Sequence, residues 1–471
     1  MSNNEVRIDV VPEIELHAKN DELVTSPPQE QAATAGNGST QAKDNNGKSS
    51  PPQELARMNL EMTASSKHGD LVQELRNDIN KNLESELDPD QCCIYKVPEP
   101  ICRVNKEAYI PRSISIGPLH HGKLELANME KTKRRYMISF FQRTTIEKQD
   151  EILSFIKDNE KKIRSCYAET SVLPAREYVM MILYDAIFIV ELFLSNIVTP
   201  SDSLKSLYFL ASDLQLLENQ LPYFVLEGIF VLAYVDSWEY KGTFMQLSCT
   251  FFSQFTNMKL ITPQSPVKHF TDWKRNSLLQ NWQTSGQAAT FIRYLPCATK
   301  LHESGVKFKK IEGEDMLIRF EKQLHELQLP YLYIDDDTER VLRNVLALEQ
   351  CHYPWNTHVC DFLKLMDFLI DSEKDVDLLA EHGIISCFAR DNASIADMIN
   401  KLCQYIVFGP SPYHEMCVEL KEHCNSRWNK TMATLRRVYF SNLWRGTGTI
   451  AAVILLLLTV IQTICSIFEV V

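Results

Sequence analysis

The chain lacks the motifs by which common enzyme classes are recognised. No G-x-S-x-G is present to set a serine on a nucleophile elbow, no G-x-G-x-x-G to carry a dinucleotide, and no H-E-x-x-H to hold zinc. No C-x-x-C occurs among the 13 cysteines, an odd number scattered through apolar segments, with Cys92 and Cys93 adjacent. That pattern fits reduced thiols in a cytosolic compartment better than a secreted disulfide framework. The N-terminus, MSNNEVRIDVVPEIEL, has no apolar run of the kind that directs secretion. Positive charge is scarce as well: 49 Lys and Arg stand against 61 Asp and Glu, a net charge of −12. Phosphate backbones are bound by clustered cations, so no nucleic-acid partner is expected. The densest basic run, Lys131, Lys133, Arg134 and Arg135, reads as the solvated face of a helix.

What is present is apolar and periodic: 45% of the 471 residues are hydrophobic, enough for a sizeable core. Residues 1–65 are the exception, a polar stretch with Ser-Pro-Pro-Gln-Glu twice, at Ser26 and Ser50. It has too little apolar surface to offset its ordering entropy, and a disordered tail is expected. Residues 66–440 read as one helical domain, with a possible sub-boundary in a polar loop over 257–292. Leu71, Leu75, Ile79 and Leu83 recur four apart, a helical stripe. Pro98, Pro100, Pro111 and Pro118 break helix and keep the next stretch extended or irregular. A helical region then runs from about Glu125 to Tyr167. Tyr178 to Leu194 and Leu221 to Val235 are apolar but fall short of the ~20 residues that span a bilayer. They carry Asp185, Glu191 and Glu227, and read as core helices. Residues 305–334 (VKFKKI, MLIRFE, LPYLYI) alternate as short strands of a small antiparallel element. A helix resumes after Asp335 to Asp337, acids that suit its positive end.

The last segment differs. Thr447 to Phe468 contains no charged residue and is rich in Ile, Leu and Val. It reads as a single transmembrane helix over 447–468, with Glu469 to Val471 beyond it. So short a remainder implies insertion after translation. Arg436, Arg437 and Arg445 precede it and Glu469 follows, which by the positive-inside rule leaves the N-terminal domain in the cytoplasm.

Three groupings could carry chemistry. SISIGPLHHGKLEL contains Gly117, Gly122 and Lys123 at phosphate-loop spacing. Pro118 supplies no N–H, however, and Leu124 stands where a hydroxyl should meet Mg²⁺. His120 and His121 could act in acid–base or metal chemistry, but adjacent side chains in extended backbone point to opposite faces. One buried, hydrogen-bonded ring is the simpler expectation. His414, Cys417, His423 and Cys424 suggest zinc, yet Tyr413, Cys417, Leu420, Cys424, Trp428, Met432, Leu435 and Tyr439 recur as a continuous helical core stripe. Asp185, Glu191, Glu218, Glu227 and Glu349 are acids in apolar surroundings, expected at helix caps or in internal ion pairs.

The order of motifs is itself informative. IYKVPEPICRVNKEAYIPRSISIGPLHHG, then MEKTKRRYM, MMILYDAIFIVELFL, SDLQLLENQLPYFVLE, ATKLHESGVKFK, TERVLRNVLALEQC, LMDFLIDSEKDVDLL and GIISCFARDNASIADMIN follow one another, ending in YFSNLWRGTGTIAAVILLLLTVIQTICSI. This series resembles the plant-specific family called domain of unknown function 247, over about residues 92–467. It departs at Leu119, at SCFAR and at NLWRG. The resemblance implies a plant protein with a mostly helical cytoplasmic domain and a C-terminal membrane helix. It also implies recognition as a broad theme, since some relatives act in pollen–pistil self-recognition. It supplies no catalytic residue, metal or cofactor.

Residues and resemblance together predict a mainly α (α+β) fold: a large helical domain with a small antiparallel β element, a disordered tail and one membrane helix. The expected role is a membrane-tethered interaction module without catalytic activity. The alternative is an enzyme with an unrecognised site near His120, His121 and the core carboxylates.

Overall fold

The computed structural model describes residues 72–77, 91–198, 204–233, 240–255, 266–280, 290–311, 316–387, 391–427, 429–431, 434 and 443–470. The expected disordered tail over 1–65 lies outside them. Of the stripe expected from Leu71, residues 72–77 are helical, with Val72 and Leu75 exposed. A compact unit runs from Ser85 onwards, and it is mostly helical.

Its N-terminal half is built around one long helix. The helical region expected from Glu125 is three helices: α1 (Ala127–Arg143), α2 (Ile146–Asp158) and α3 (Glu160–Ser165). Thr144 and Thr145 separate the first two, and the Thr145 hydroxyl accepts the Lys148 amide as the cap of α2. α4 (Ala175–Val198) follows. Ile182, Ala186, Ile187, Phe188, Ile189, Val190 and Phe193 on it are at most 1% exposed. A helix apolar on every side must be enclosed on every side, and α1, α2, α6 and α7 enclose this one. α5 (Leu204–Asp213), α6 (Tyr223–Ala233) and α7 (Phe244–Ser253) complete the half. Phe193 stacks on Phe251 at 4.2 Å between ring centroids and meets Phe244, Phe252 and Phe270 around it. Each such side chain contributes about 1.5–3 kcal/mol on burial. Both apolar segments are therefore core helices, with Glu227 turned out to solvent.

The polar loop expected over 257–292 contains a buried helix, α8 (Phe270–Leu278), which corrects that reading. Its polar residues are inside because each has a partner. The Thr271 hydroxyl donates to the Gln215 carbonyl, the Ser277 hydroxyl to the Trp273 carbonyl, and Arg275 to Glu349. Composition signals exposure only where such partners are missing.

The second half contains α9 (Ala298–Glu303) and two small sheets. Strand β3 (Glu326–Pro330) pairs parallel with β1 (Lys307–Ile311) and antiparallel with β2 (Arg319–Glu321). β4 (Leu332–Ile334) pairs parallel with β5 (Ile385–Cys387). Among the described residues only the β2–β3 pairing is of the antiparallel kind expected. LPYLYI is divided at Tyr331 between the two sheets. Parallel strands need a crossover. Between β4 and β5 it is supplied by α10 (Thr338–His352), α11 (His358–Leu369) and α12 (Glu373–Glu381). α13 (Asn392–Leu402) and α14 (His414–Asn425) close a second hydrophobic core. The helix that carries the stripe expected from Tyr413 breaks at Ser426, where the backbone turns extended, and helix resumes at Arg427. Trp428, Met432, Leu435 and Tyr439 lie outside the described residues.

The last helix, α15 (Leu443–Val470), is the counterpart of α4. Both are long and apolar enough to cross a bilayer, over Ala175–Asn196 and Gly446–Ile467, 22 residues each. The first is 78% buried inside the protein and the second 0%.

Candidate functional site

The stretch Arg112–Lys123 is where phosphate-loop spacing was noted, and its amides already face anions. The amides of Arg112, Ser113 and Ile114 converge on the Asp213 carboxylate at 2.6–3.1 Å. Three successive N–H groups around one carboxylate form the kind of cradle that elsewhere holds a phosphate. Here the occupant is the protein's own side chain, at the C-terminal end of α5. Arg340 on α10 donates to the same carboxylate at 2.8 Å. The next amides continue the pattern: Ile116 donates to the Asn219 side chain at 2.7 Å and Gly117 to Asp185 at 2.8 Å.

Gly117 is required by its geometry. Its φ is +72°, and a Cβ there would lie 2.4 Å from the Gln220 carbonyl oxygen and 2.9 Å from the Tyr167 hydroxyl. That hydroxyl donates to the same carbonyl. Gln220 in turn donates from its side chain to the carbonyls of Leu214 and Leu216, and accepts the Phe270 amide. The segment 212–220 and the loop 112–117 are thus joined through buried side chains to main-chain groups.

Lys133 sits beneath this loop with no exposure. Its Nζ donates to the Ser115 carbonyl at 2.5 Å and contacts Glu130 at 2.5 Å and Asp185 at 2.6 Å. Burial alone would lower its pKa, and the two carboxylates more than reverse that, so the ammonium is held. One member of the basic run expected to be solvated is therefore a core residue. Lys131, Arg134 and Arg135 are exposed as expected.

The two histidines divide as expected. His120 is buried, with Nδ1 at 2.7 Å from Lys123 Nζ and Nε2 at 3.2 Å from Glu218. His121 is exposed. Lys123 thus leans on its own loop, and Glu218 is shared with the Val97 amide. The other core acids are committed to cations: Glu191 to Arg143, and Glu349 to Arg275 at 2.8 Å, with the amides of Val359 and Cys360 also on Glu349. Of the zinc-like set, Cys417 is buried, Cys424 contacts Ser304, and His423 donates to the Ser304 carbonyl. Among the described residues no group of three or more His, Cys, Asp or Glu could hold a metal ion. None of the 13 cysteines is in a disulfide.

Several polar residues central to this arrangement carry no local sequence signal. Asn344 on α10 donates to the Ala108 carbonyl and accepts the Leu217 amide. His269 caps α8, its Nδ1 accepting the Asp272 amide and its Nε2 donating to the Cys93 carbonyl at 2.9 Å. Burial pushes it down to about 4, keeping the ring neutral in the tautomer both contacts need. Asp361, 4% exposed, is pushed up to about 7 by burial and by Glu349 nearby. Lys274, half-buried on α8, is pushed down to about 8 by burial, with Asp335 opposing. His269 and Asp361 are linked through α8: His269 caps it at Asp272, which accepts the Tyr353 hydroxyl, and Asp361 neighbours Glu349, the partner of Arg275. What the arrangement does physically is join two hydrophobic cores across a buried, hydrogen-bonded polar layer.

Comparison with known proteins agrees with the motif order. The family described as plant protein of unknown function, DUF247, matches residues 94–458. UPF0481 protein At3g47200 of Arabidopsis thaliana is 24% identical over 422 residues, 81% of this chain and 87% of its own length. A second UPF0481 protein of that plant, At3g02645, is 21% identical over 83% of this chain and 94% of its own. No solved structure matches.

Proposed function

The chain belongs to the plant protein family of unknown function DUF247, and we propose that it is a membrane-tethered protein whose cytosol-facing helical domain binds other proteins without catalysing a reaction. The observation that carries this is the contrast between α4 and α15. Two helices of like length and apolarity meet opposite fates, one enclosed by the protein and the other bare. At ~1.5 Å per residue, 22 apolar residues reach about 33 Å, against a hydrocarbon core of ~30 Å. Water does not tolerate such a surface, and a bilayer accepts it. In sequence, Arg436, Arg437 and Arg445 precede the span and Glu469 follows it, a charge bias that supports a cytoplasmic domain.

The absence of catalysis is supported by the state of the core acids. Catalytic carboxylates stay available to substrate. Asp185, Asp213, Glu191 and Glu349 are each bound to a cation, and Asp185, Asp213 and Glu349 to main-chain amides as well. A rigid domain held at one membrane gains effective concentration towards partners there.

The test is alkaline extraction of the intact chain, followed by proximity labelling of the intact chain and of a truncation ending before Trp444. The expected result is a chain that resists alkali and a set of neighbours retained by the truncation. A chain released by alkali, or a truncation that keeps no neighbour, would overturn the corresponding half of the proposal.

A further inference from the structure

The exposed face of α1 is cationic in a chain whose net charge is −12. Lys131, Arg134, Arg135 and Ile138 stand at i, i+3, i+4 and i+7, on one side of the helix. All four are exposed, Ile138 by 54%. The opposite side is taken up by Lys133 and Phe140, which are buried. Among the described residues, the side chains of Lys131, Arg134 and Arg135 have no ion pair or hydrogen bond, unlike Arg143, which reaches Glu191. The rest of the exposed face is Ala127, Asn128, Ser139 and Gln142, with no acid. The one acid of α1, Glu130, is turned to Lys133. Leu124, just before the helix, is 86% exposed.

We propose that this face of α1 rests on an anionic lipid surface, with the three cations on headgroup phosphates and Ile138 and Leu124 at the apolar boundary. The proposal rests on the tether described above, because α15 is what keeps a lipid surface within reach. Its own support is the charge pattern. Free cations interleaved with exposed aliphatic side chains suit a headgroup layer, where both find partners. An acidic protein would pair with the cations and leave Ile138 and Leu124 to be matched separately. The contact fixes which side of the domain faces the membrane, and so which surfaces remain open to partners.

The experiment uses the full chain throughout. The intact chain, with a photocrosslinking residue in place of Ile138, is reconstituted into phosphatidylcholine vesicles with and without phosphatidylserine. A second form carries Leu456→Asp and Leu457→Asp to disable the anchor, and its sedimentation with the same vesicles is measured. The expected result is lipid crosslinking at 138 that depends on phosphatidylserine, and salt-sensitive sedimentation of the anchorless form with the anionic vesicles only. Lys131→Gln, Arg134→Gln and Arg135→Gln together weaken that binding about 100-fold, about fivefold per cation, with an unchanged thermal melt. Equal crosslinking in both vesicles, unchanged binding of the triple variant, or capture of polyglutamate in place of anionic vesicles would overturn the proposal. Failure of the tether reads differently: the intact chain would not incorporate into either vesicle, while the sedimentation of the anchorless form still decides the fate of α1.

Discussion

Asp213 and Arg340 stand 127 positions apart in the chain and meet at 2.8 Å, at the joint between the two hydrophobic cores. Both are nearly inaccessible to water, at 0% and 3% exposure. Arg340 also donates to the Ile110 carbonyl, and Asp213 also takes the three amides of residues 112–114. The pair is therefore the point where the signature loop, α5 and α10 are held together.

Asp213→Ala is expected to cost about 3–5 kcal/mol, because it strands a buried guanidinium and three amides at once. Arg340→Ala should cost a similar amount. Denaturant melts of the two single variants and the double variant give a coupling energy. A double variant no worse than either single one is the expected outcome, and simple additivity would remove Asp213–Arg340 from its place as the joint.

Gly117 and Gly122 share a positive φ but not a setting. Nothing lies within 4 Å of a Cβ built at Gly122, whereas one at Gly117 meets the Gln220 carbonyl. Gly122→Ala should cost only the left-handed backbone strain, about 1–2 kcal/mol. Gly117→Ala adds a main-chain collision and should cost clearly more. Thermal melts side by side would show the order, and equal losses would contradict the geometry.

Two buried groups titrate in opposite senses over one pH range. His269 is held near 4, below its ordinary 6.5, so the folded state refuses a proton the unfolded state takes. Stability is lost from this group as pH falls from about 6.5 to 4, by about 3 kcal/mol. Asp361 is held near 7, above its ordinary 3.8, so its contribution is full at low pH and lost as pH rises through 7. Asp361→Asn should accordingly stabilise the protein at pH 8 by about 2–4 kcal/mol, an advantage that shrinks towards pH 4. The variant should also be more acid-sensitive than the parent, with the His269 loss no longer offset. Urea melts across the range measure both effects.

Leu456→Asp with Leu457→Asp should move the chain from the membrane fraction to the soluble fraction. Each central acid opposes insertion by about 2.5–3.5 kcal/mol. Both positions are exposed on α15, so circular dichroism of the domain should be unchanged. Retention of the double variant in alkali-washed membranes would argue against α15 as the anchor.

The elements that could be read in advance are those whose cause is local. α4, α10 and α15 follow from apolar spacing and length, and the burial of Tyr413, Cys417 and Leu420 from one helical stripe. α8 was not legible, because Thr271, Asp272, Arg275 and Ser277 resemble loop residues until Gln215, Glu349 and Tyr353 are placed beside them. Lys133 was read as surface for the same reason. The parallel pairing of β1 with β3 was hidden too, since strand propensity carries no direction. His120 and His121 divided between buried and exposed as expected, though in a turn rather than in extended backbone, and the identity of Glu218 as the neighbour of His120 came only from the fold.

By itself the amino-acid order determined the family, the helical class and the two long apolar segments, because periodicity, composition and motif order are properties of neighbours along the chain. The acids in one segment and their absence from the other also separated a core helix from a candidate span, and only the tertiary structure decided what each charged residue faces. That depends on groups brought together from positions such as 213 and 340, and no local pattern encodes a distance across space.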